Sequence, residues 1–360
     1  HFTTPSPREL AQRIRSLRQH QTDWQEFELS KRIDVLRQWH KALKKQQKNI
    51  LQALTLDTGR HSLSLVEFNA LEVSISKWCD IAPELLEPKN QRSMYMPDVE
   101  ILCDYKPYPL LGAISPWNFP LLLSFIDVIP ALLAGSAAFI KPSEITPRFA
   151  EPIAETIANL SDLSRVVTII PGGAELGGEL VRQVDIITFT GSVPTGKRVA
   201  QTAAKEFIPA FLELGGKDPA IVLRGSDLDR AATAILRASI AATGQACQSI
   251  ERIYVDEGDY EVFLNKLKQK AESAAATMGD PSRDIVGPLI FKEQAKIIEA
   301  HIADAISKGA CVECGGVVEN REGGLWIAPT ILSKVNHRMR VMTEETFGPL
   351  MPVMSFKTEK

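Results

Sequence analysis

Leu110-Leu-Gly-Ala-Ile-Ser115, closed at once by Pro116-Trp-Asn-Phe-Pro120, is the stretch that decides the fold, because it is the first of a series. Ala137–Ile140, Val166–Ile170 and Ile186–Thr190 are further short apolar runs, each ended by Pro, Gly or Lys-Pro. Apolar runs of this length without polar alternation suit strands buried on both faces. Amphipathic stretches such as Arg148–Leu160 and Glu175–Val184 lie between them, with apolar residues at helical spacing. Strands alternating with helices at this interval predict an α/β fold built on a doubly wound parallel sheet. A second series, from Ile221 through Ile253–Asp256 and Leu325–Ile331, predicts a second α/β domain.

Upstream, Ser6-Pro-Arg-Glu9 reads as a capping box with Pro in the first helical turn. A second helix is expected from about Glu28 to Asp57, with Gly59 stopping it and Lys44, Lys45 and Lys48 on its solvated face. A third is expected over Leu63–Ile81, ending before Ala82-Pro83. Residues 87–108 are polar and then alternating, which predicts an extended hairpin that interrupts the α/β pattern.

A chain of 360 residues with 44% hydrophobic and 24% charged content has the makings of two ordinary globular domains. Its net charge of -3 gives no electrostatic case for nucleic acid or an anionic membrane as partner. The longest apolar run, Pro109–Leu123, is broken by Pro116 and Asn118 and falls short of the ~20 residues of a membrane span. The five cysteines are odd in number and scattered, as suits reduced thiols in a cytoplasmic protein. Cys311 and Cys314 form a C-x-x-C, but on a strand positions i and i+3 point to opposite faces, so neither a redox pair nor a metal site is expected. The chain starts at His1 rather than Met, which leaves room for a native N-terminus upstream.

Several polar residues stand where chemistry can be done. Cys247, in Thr243-Gly-Gln-Ala-Cys-Gln-Ser249, reads either as a small core residue or as a nucleophile, since a thiolate is the best protein nucleophile near neutral pH. Glu213, in Phe211-Leu-Glu-Leu-Gly-Gly-Lys-Asp-Pro219, reads as a strand end or as a carboxylate in an apolar cleft, where burial would raise its pKa and make it a general base. Asn118 is either a turn residue or an amide donor aimed at developing negative charge. Phe189-Thr-Gly-Ser-Val-Pro-Thr-Gly196 leads from a strand into a helix beginning near Pro194, so its N-terminus and the Ser192 hydroxyl can face a phosphate. The glycine-rich Gly172–Gly177 follows Pro171 and reads as a loop instead.

Taken in order, Pro116-Trp-Asn-Phe-Pro120, Lys141-Pro-Ser-Glu144, Glu213-Leu-Gly-Gly216, Gly244-Gln-Ala-Cys247 and Glu345-Thr-Phe-Gly-Pro349 closely resemble the motifs of the aldehyde dehydrogenase superfamily over essentially the whole chain. The resemblance implies oxidation of a small-molecule aldehyde to a carboxylic acid through a cysteine thioester. In that scheme Cys247 is the nucleophile, Glu213 the base, and Asn118 with the Cys247 backbone N–H the oxyanion hole. It also implies that Trp117, Lys141, Ser143, Glu144, Gly191, Ser192, Gly196, Glu345 and Phe347 hold a nicotinamide cofactor. A carboxylate at Glu144 would accept from ribose hydroxyls and repel a 2′-phosphate, which favours NAD, with NADP the other candidate. Residues 1–86 and 108–215 would form the nucleotide domain, 87–107 an oligomerisation hairpin and 216–360 an incomplete catalytic domain. A cytoplasmic homodimer or homotetramer is the expected assembly.

Two departures stand out. Many members of the family carry a lysine nine residues after the Asn118 equivalent, where this chain has Asp127. Members also continue well past the equivalent of Lys360, so a longer parent chain is expected. Ser249-Ile-Glu-Arg252 is reminiscent of hydroxyaldehyde-oxidising members. The alternatives are a CoA-acylating variant, a type that generally lacks the base glutamate, and a catalytically silent scaffold with the same fold.

Overall fold

The computed structural model describes residues 5–279, 286–321 and 323–358; the outermost residues of the expected domain ranges, 1–4, 359 and 360, lie outside it. The chain divides into two compact units, one made of the residues up to Leu54 with Leu65–Glu213, the other of Thr55–Ser64 with the residues from Leu214 onward. Residues 55–64, expected with the nucleotide domain, thus cluster with the second unit.

The first unit opens with α1 (Pro7–Gln25), whose Ser6 hydroxyl accepts from the Glu9 N–H at 3.3 Å while the Glu9 carboxylate accepts from the Ser6 N–H at 2.8 Å, the capping box read from sequence. Next come α2 (Leu29–Thr58) and α3 (His61–Leu85). The latter does not stop before Pro83. Proline removes only its own N–H from the ladder, and the Leu86 N–H still bonds the Ala82 carbonyl at 2.9 Å, so the last turn closes around it. Strands β1 (Lys89–Arg92) and β2 (Glu100–Cys103) pair antiparallel, Lys89 opposite Cys103, with every residue exposed.

The chain then alternates as expected: β3 (Leu110–Ile114), α4 (Pro120–Phe125), α5 (Val128–Ala134), β4 (Ala137–Lys141), α6 (Ala150–Ala158), α7 (Ser161–Ser164), β5 (Val167–Ile169), α8 (Ala174–Val181), β6 (Ile186–Gly191), α9 (Val193–Glu206) and β7 (Ala210–Leu214). The sheet order is β5-β4-β3-β6-β7, with the β5-β4, β4-β3 and β3-β6 pairs parallel. Successive strands run outward from β3 to β5, and the chain then returns to place β6 on the other side of β3. That reversal is the switch point of a doubly wound sheet.

The second unit comprises β8 (Asp218–Val222), α10 (Leu228–Ile240), a 3₁₀ turn over Ala241–Gly244, β9 (Ile250–Asp256), α11 (Tyr260–Ala275), α12 (Lys292–Ser307), β10 (Cys311–Cys314), β11 (Val318–Arg321), β12 (Gly324–Ile327), β13 (Thr330–Ser333), α13 (Arg340–Thr343) and β14 (Leu350–Phe356). Its main sheet runs β10-β13-β14-β9-β8, parallel except for β10. Side chains alternate across it. Ile331 and Met351 join the core cluster that contains Ile235 and Leu236 of α10 and Phe263 and Leu267 of α11, while Leu332 and Leu350 join the cluster around Ile298 and Ile302 of α12. Helices therefore cover both faces.

Leu325–Ile331 is not one strand: β12 pairs with β11 in a separate ribbon, and Ala328-Pro329 breaks the run before β13 enters the main sheet. Cys311 and Cys314 lie on one strand, but a bulge after Val312 sets them opposite Ser333 and Ile331, two residues apart, so the simple opposite-face alternation is lost. Both thiols are free, and the described residues contain no group of three or more metal-ligating side chains. Among the described residues no helix is long and apolar enough to cross a membrane.

Candidate active site

In the first unit the candidate residues gather at the carboxyl ends of parallel strands on both sides of the switch point, where sheets of this kind bind ligands. β3 runs into Ser115 and the Pro116–Pro120 turn, which holds Trp117 and Asn118. Asn118 is 6% exposed. The turn is tied down by a Thr146 hydroxyl donating to the Trp117 carbonyl at 3.1 Å and by the Leu122 N–H donating to buried Glu67 at 2.9 Å. β4 ends in Lys141, whose ammonium donates to the carbonyls of Pro142, at 3.0 Å, and Gly172. Burial pushes its pKa down to about 8 against the pull of Glu144. Ser143 is buried and accepts from the Ile145 N–H at 3.2 Å, while Glu144 is exposed just past the strand end.

β6 ends at Gly191, and Ser192 occupies the N-cap of the 14-residue α9. Its hydroxyl donates to Thr195 at 3.1 Å instead of capping the helix amides. Gly196 is buried in the first turn. This strand-to-helix passage suits an anion at the helix N-terminus.

Glu213 is exposed, against the expectation of a carboxylate buried in an apolar cleft. It sits on the edge strand β7, where alternation sends Phe211 and Glu213 to the exposed face and Leu212 and Leu214 to the other. The flanking leucines that suggested a cleft belong to the opposite side of the strand. Asp127 feels its charge. Burial foremost, with Glu213 adding, holds the Asp127 carboxyl above its usual range despite a hydrogen bond with Thr188. Asp127, Thr188 and Phe211 line a cavity of about 510 Å³ in this unit.

In the second unit the motif segments take the other end of the strands. Leu214–Lys217 leads into β8, Gly244–Ser249 into β9 and Glu344–Pro349 into β14, and these three strands are parallel neighbours, with Asp218 beside Ile250 and Val353 beside Ile253. The three loops therefore emerge together at the amino-terminal edge of the sheet. Cys247 is exposed there. Before it, Ala242 and Thr243 adopt left-handed φ values of 55° and 58°, and the Thr243 hydroxyl holds that conformation by exchanging hydrogen bonds with Gly287 at 2.9 and 3.0 Å. Fully buried Gln245 accepts from the Arg60 guanidinium and from the Ile290 N–H at 3.3 Å.

Glu345 rests on the turn after Glu213. A Cβ added to Gly215 would lie 2.1 Å from the Glu345 carboxylate oxygens, so only glycine allows the approach. Burial first, and then the charge of Glu251, pushes the Glu345 pKa up to about 7, against a hydrogen bond from the Gly216 N–H and the nearby Lys217. Phe347 has a left-handed φ of 52°. Glu251, which the sequence reading noted only as part of a reminiscent string, is 2% exposed and receives the N–H groups of Thr346 and Phe347, each at 2.7 Å. Its carboxylate also meets the Lys217 ammonium at 2.6 Å. The signal was a charged side chain at the inward-facing phase of an otherwise alternating β9.

The profile of the aldehyde dehydrogenase family matches residues 2–360. A solved structure from Anabaena variabilis, assigned as an aldehyde dehydrogenase, superposes with a TM-score of 0.96 at 48% identity and covers 99% of this chain and 76% of its own. The 4,4'-diapolycopene aldehyde oxidase of Methylomonas sp is 34% identical over 100% of the chain and 68% of its own length. A protein of Mycobacterium ulcerans assigned as an NADP(+)-linked succinate-semialdehyde dehydrogenase is 34% identical over 93% of the chain, which spans 65% of that relative. With a family profile over nearly every residue and the motif loops gathered at strand ends in each unit, the chain belongs to the aldehyde dehydrogenase family.

Proposed function

We propose that the protein oxidises an aldehyde to a carboxylic acid with a nicotinamide cofactor, through a covalent thioester on Cys247. The observation that carries this reading is the convergence of the Cys247 and Glu345–Phe347 loops at the edges of adjacent parallel strands β9 and β14. It sets an exposed thiol beside a loop suited to a ribose.

Cys247, as thiolate, adds to the aldehyde carbon. The carbonyl oxygen becomes an oxyanion, for which the family resemblance names the Asn118 amide and the Cys247 backbone N–H as donors. The bound nicotinamide would supply the acceptor for the hydride. The acyl group then remains on the Cys247 sulfur. Glu213 takes a proton from water, the resulting hydroxide attacks the thioester, and the acid leaves as the thiolate is regenerated. An exposed carboxylate is suited to this task because water reaches it directly.

The residues present fit the cofactor. Ser192, Gly191 and Gly196 form a strand-to-helix passage suited to a pyrophosphate. Lys141, Ser143 and Glu144 stand at the end of β4 for the adenosine ribose, Trp117 lies in the turn after neighbouring β3, and Glu345 with Phe347 would serve the nicotinamide ribose. Exposed Glu144 would repel a 2′-phosphate, which favours NAD here although one relative is named for NADP(+). The substrate is a small-molecule aldehyde. On the hairpin, Met94 is 93% and Leu102 71% exposed, apolar area suited to cover by further copies in a homodimer or homotetramer.

The test is reduced-cofactor formation from a panel of aldehydes, with Cys247→Ala alongside wild type. Turnover by wild type and its loss in the variant, with cofactor binding retained, is the expected result. Release of a CoA thioester instead of free acid would replace this reading with the acyl-transfer one, and a wild type inert to every aldehyde would favour the silent scaffold.

A further inference from the structure

We propose that Glu251 and Lys217 are positioning residues that lock the Glu345–Phe347 loop onto the strand that follows the nucleophile, so that cofactor grip and thiol placement are set by one buried ion pair. The proposal rests on the dehydrogenase reading above, in which Glu345 and Phe347 hold the nicotinamide ribose.

The placement follows from the sheet. Glu251 is the second residue of β9, four after Cys247. Strand alternation turns it inward, where it would be a costly buried charge without partners. It has three. Oε1 accepts the Phe347 N–H and Oε2 the Thr346 N–H, both at 2.7 Å, and Oε2 meets the Lys217 ammonium at 2.6 Å. Lys217 comes from the loop before β8, the neighbour of β9 on the side away from β14. One carboxylate on β9 thus ties that strand to the loops that precede its two neighbours, β8 and β14.

Thr346, between Glu345 and Phe347, is held on every polar atom. Its hydroxyl receives Lys217 at 3.1 Å and meets His301 Nδ1 at 3.0 Å, and its carbonyl accepts from Gln294 at 2.6 Å. With Thr346 fixed, the residues on either side have little freedom. Phe347 needs this, because a left-handed φ of 52° persists in a bulky residue only where its surroundings over-determine it. The Glu251 bond to its N–H supplies that restraint. Charge-assisted bonds to a buried carboxylate are short and strong, and removing one partner leaves the others unsatisfied.

A purely structural role would lower the yield or stability of active enzyme and leave the properties of each active molecule unchanged. A positioning role changes cofactor binding itself. The experiment measures the Kd for NAD by titration calorimetry, together with kcat and KM for NAD and for aldehyde, in wild type, Glu251→Gln, Lys217→Met and Thr346→Ala, with active molecules counted by the burst of NADH. Glu251→Gln presents an amide N–H towards Lys217 and Thr346 where an acceptor is required. It is expected to raise KM for NAD about tenfold to a hundredfold, the range such bonds carry, while KM for aldehyde stays within about twofold. Thr346→Ser should restore what Thr346→Ala loses. Unchanged Kd and KM for NAD in a folded Glu251→Gln, or in Thr346→Ala should the former not fold, overturn the proposal. A wild type without NAD-dependent turnover overturns the underlying reading instead.

Discussion

Gly244 lies against Gly348 so closely that a Cβ at position 244 would stand 2.3 Å from the Gly348 carbonyl oxygen. The contact joins the loop before β9 to the loop before β14, and Gly244 adopts φ +67° to make it. Gly244→Ala therefore incurs both a backbone conformation that L residues rarely adopt and an overlap with an atom that cannot rotate away. A loss of several kcal/mol is expected, at the severe end of single substitutions. Gly348→Ala meets mainly the tip of the Ile298 side chain, at 2.5 Å, which can rotate. Thermal unfolding of the two variants checks this: Gly244→Ala should be the less stable and the less active.

Glu213→Gln should slow the cycle by roughly 10²- to 10⁴-fold, the usual worth of a positioned base. Because Glu213 is exposed on an edge strand, its expected work is on water in thioester hydrolysis. A burst of about one NADH per active site should then survive in the variant under rapid mixing, followed by slow turnover. Loss of the burst would move Glu213 to the first step, and unchanged turnover would remove it from the mechanism.

The doubly wound order of the first unit was legible because its strands are buried on both faces and closed by Pro and Gly, which leaves a strong local pattern. Edge strands are harder to read. β7 alternates instead of being continuously apolar, so its Leu-Glu-Leu suggested a cleft where only strand alternation operates. The motif residues were recognisable by type as candidates. Glu251 was not, because its role depends on a register between β9 and β14, separated by nearly a hundred residues of chain, which no local pattern encodes. The bulge at Cys311–Cys314 was invisible for the same reason, since it exists only relative to β13.

The raised pKa of Glu345, about 7, predicts a pH dependence in cofactor binding and in stability. Below pH 7 the carboxyl is mostly neutral, and above it the carboxylate of the proposed reading would accept from ribose hydroxyls and face the cationic nicotinamide more favourably. KM for NAD should fall as pH rises through about 7. For stability the sign is opposite. The folded protein holds this proton more tightly than the unfolded chain, whose value is near 4.5, so the contribution is fully present below pH 4.5 and is lost as pH rises to about 7. Glu345→Gln should flatten both profiles. A wild-type KM for NAD that does not change between pH 6 and 8 would rule the assignment out.

In the proposed reading, cofactor choice is expected to turn on Glu144, exposed just beyond the end of β4 near the Lys141 ammonium. A carboxylate beside a ribose hydroxyl accepts a hydrogen bond, whereas beside a 2′-phosphate two negative charges meet. Lys141 cannot readily offset that repulsion. Its ammonium is engaged by the carbonyls of Pro142 and Gly172, and burial has already brought its pKa down to about 8, so moving it to a phosphate means breaking both bonds. NAD should therefore be preferred over NADP in kcat/KM. Glu144→Ser removes the repulsion and one ribose acceptor together, so it should lower kcat/KM for NAD and raise it for NADP, narrowing the ratio by about tenfold or more. The measurement is the ratio of kcat/KM for the two cofactors in each protein. A wild type that prefers NADP, with a ratio that Glu144→Ser leaves unmoved, would place the ribose away from β4.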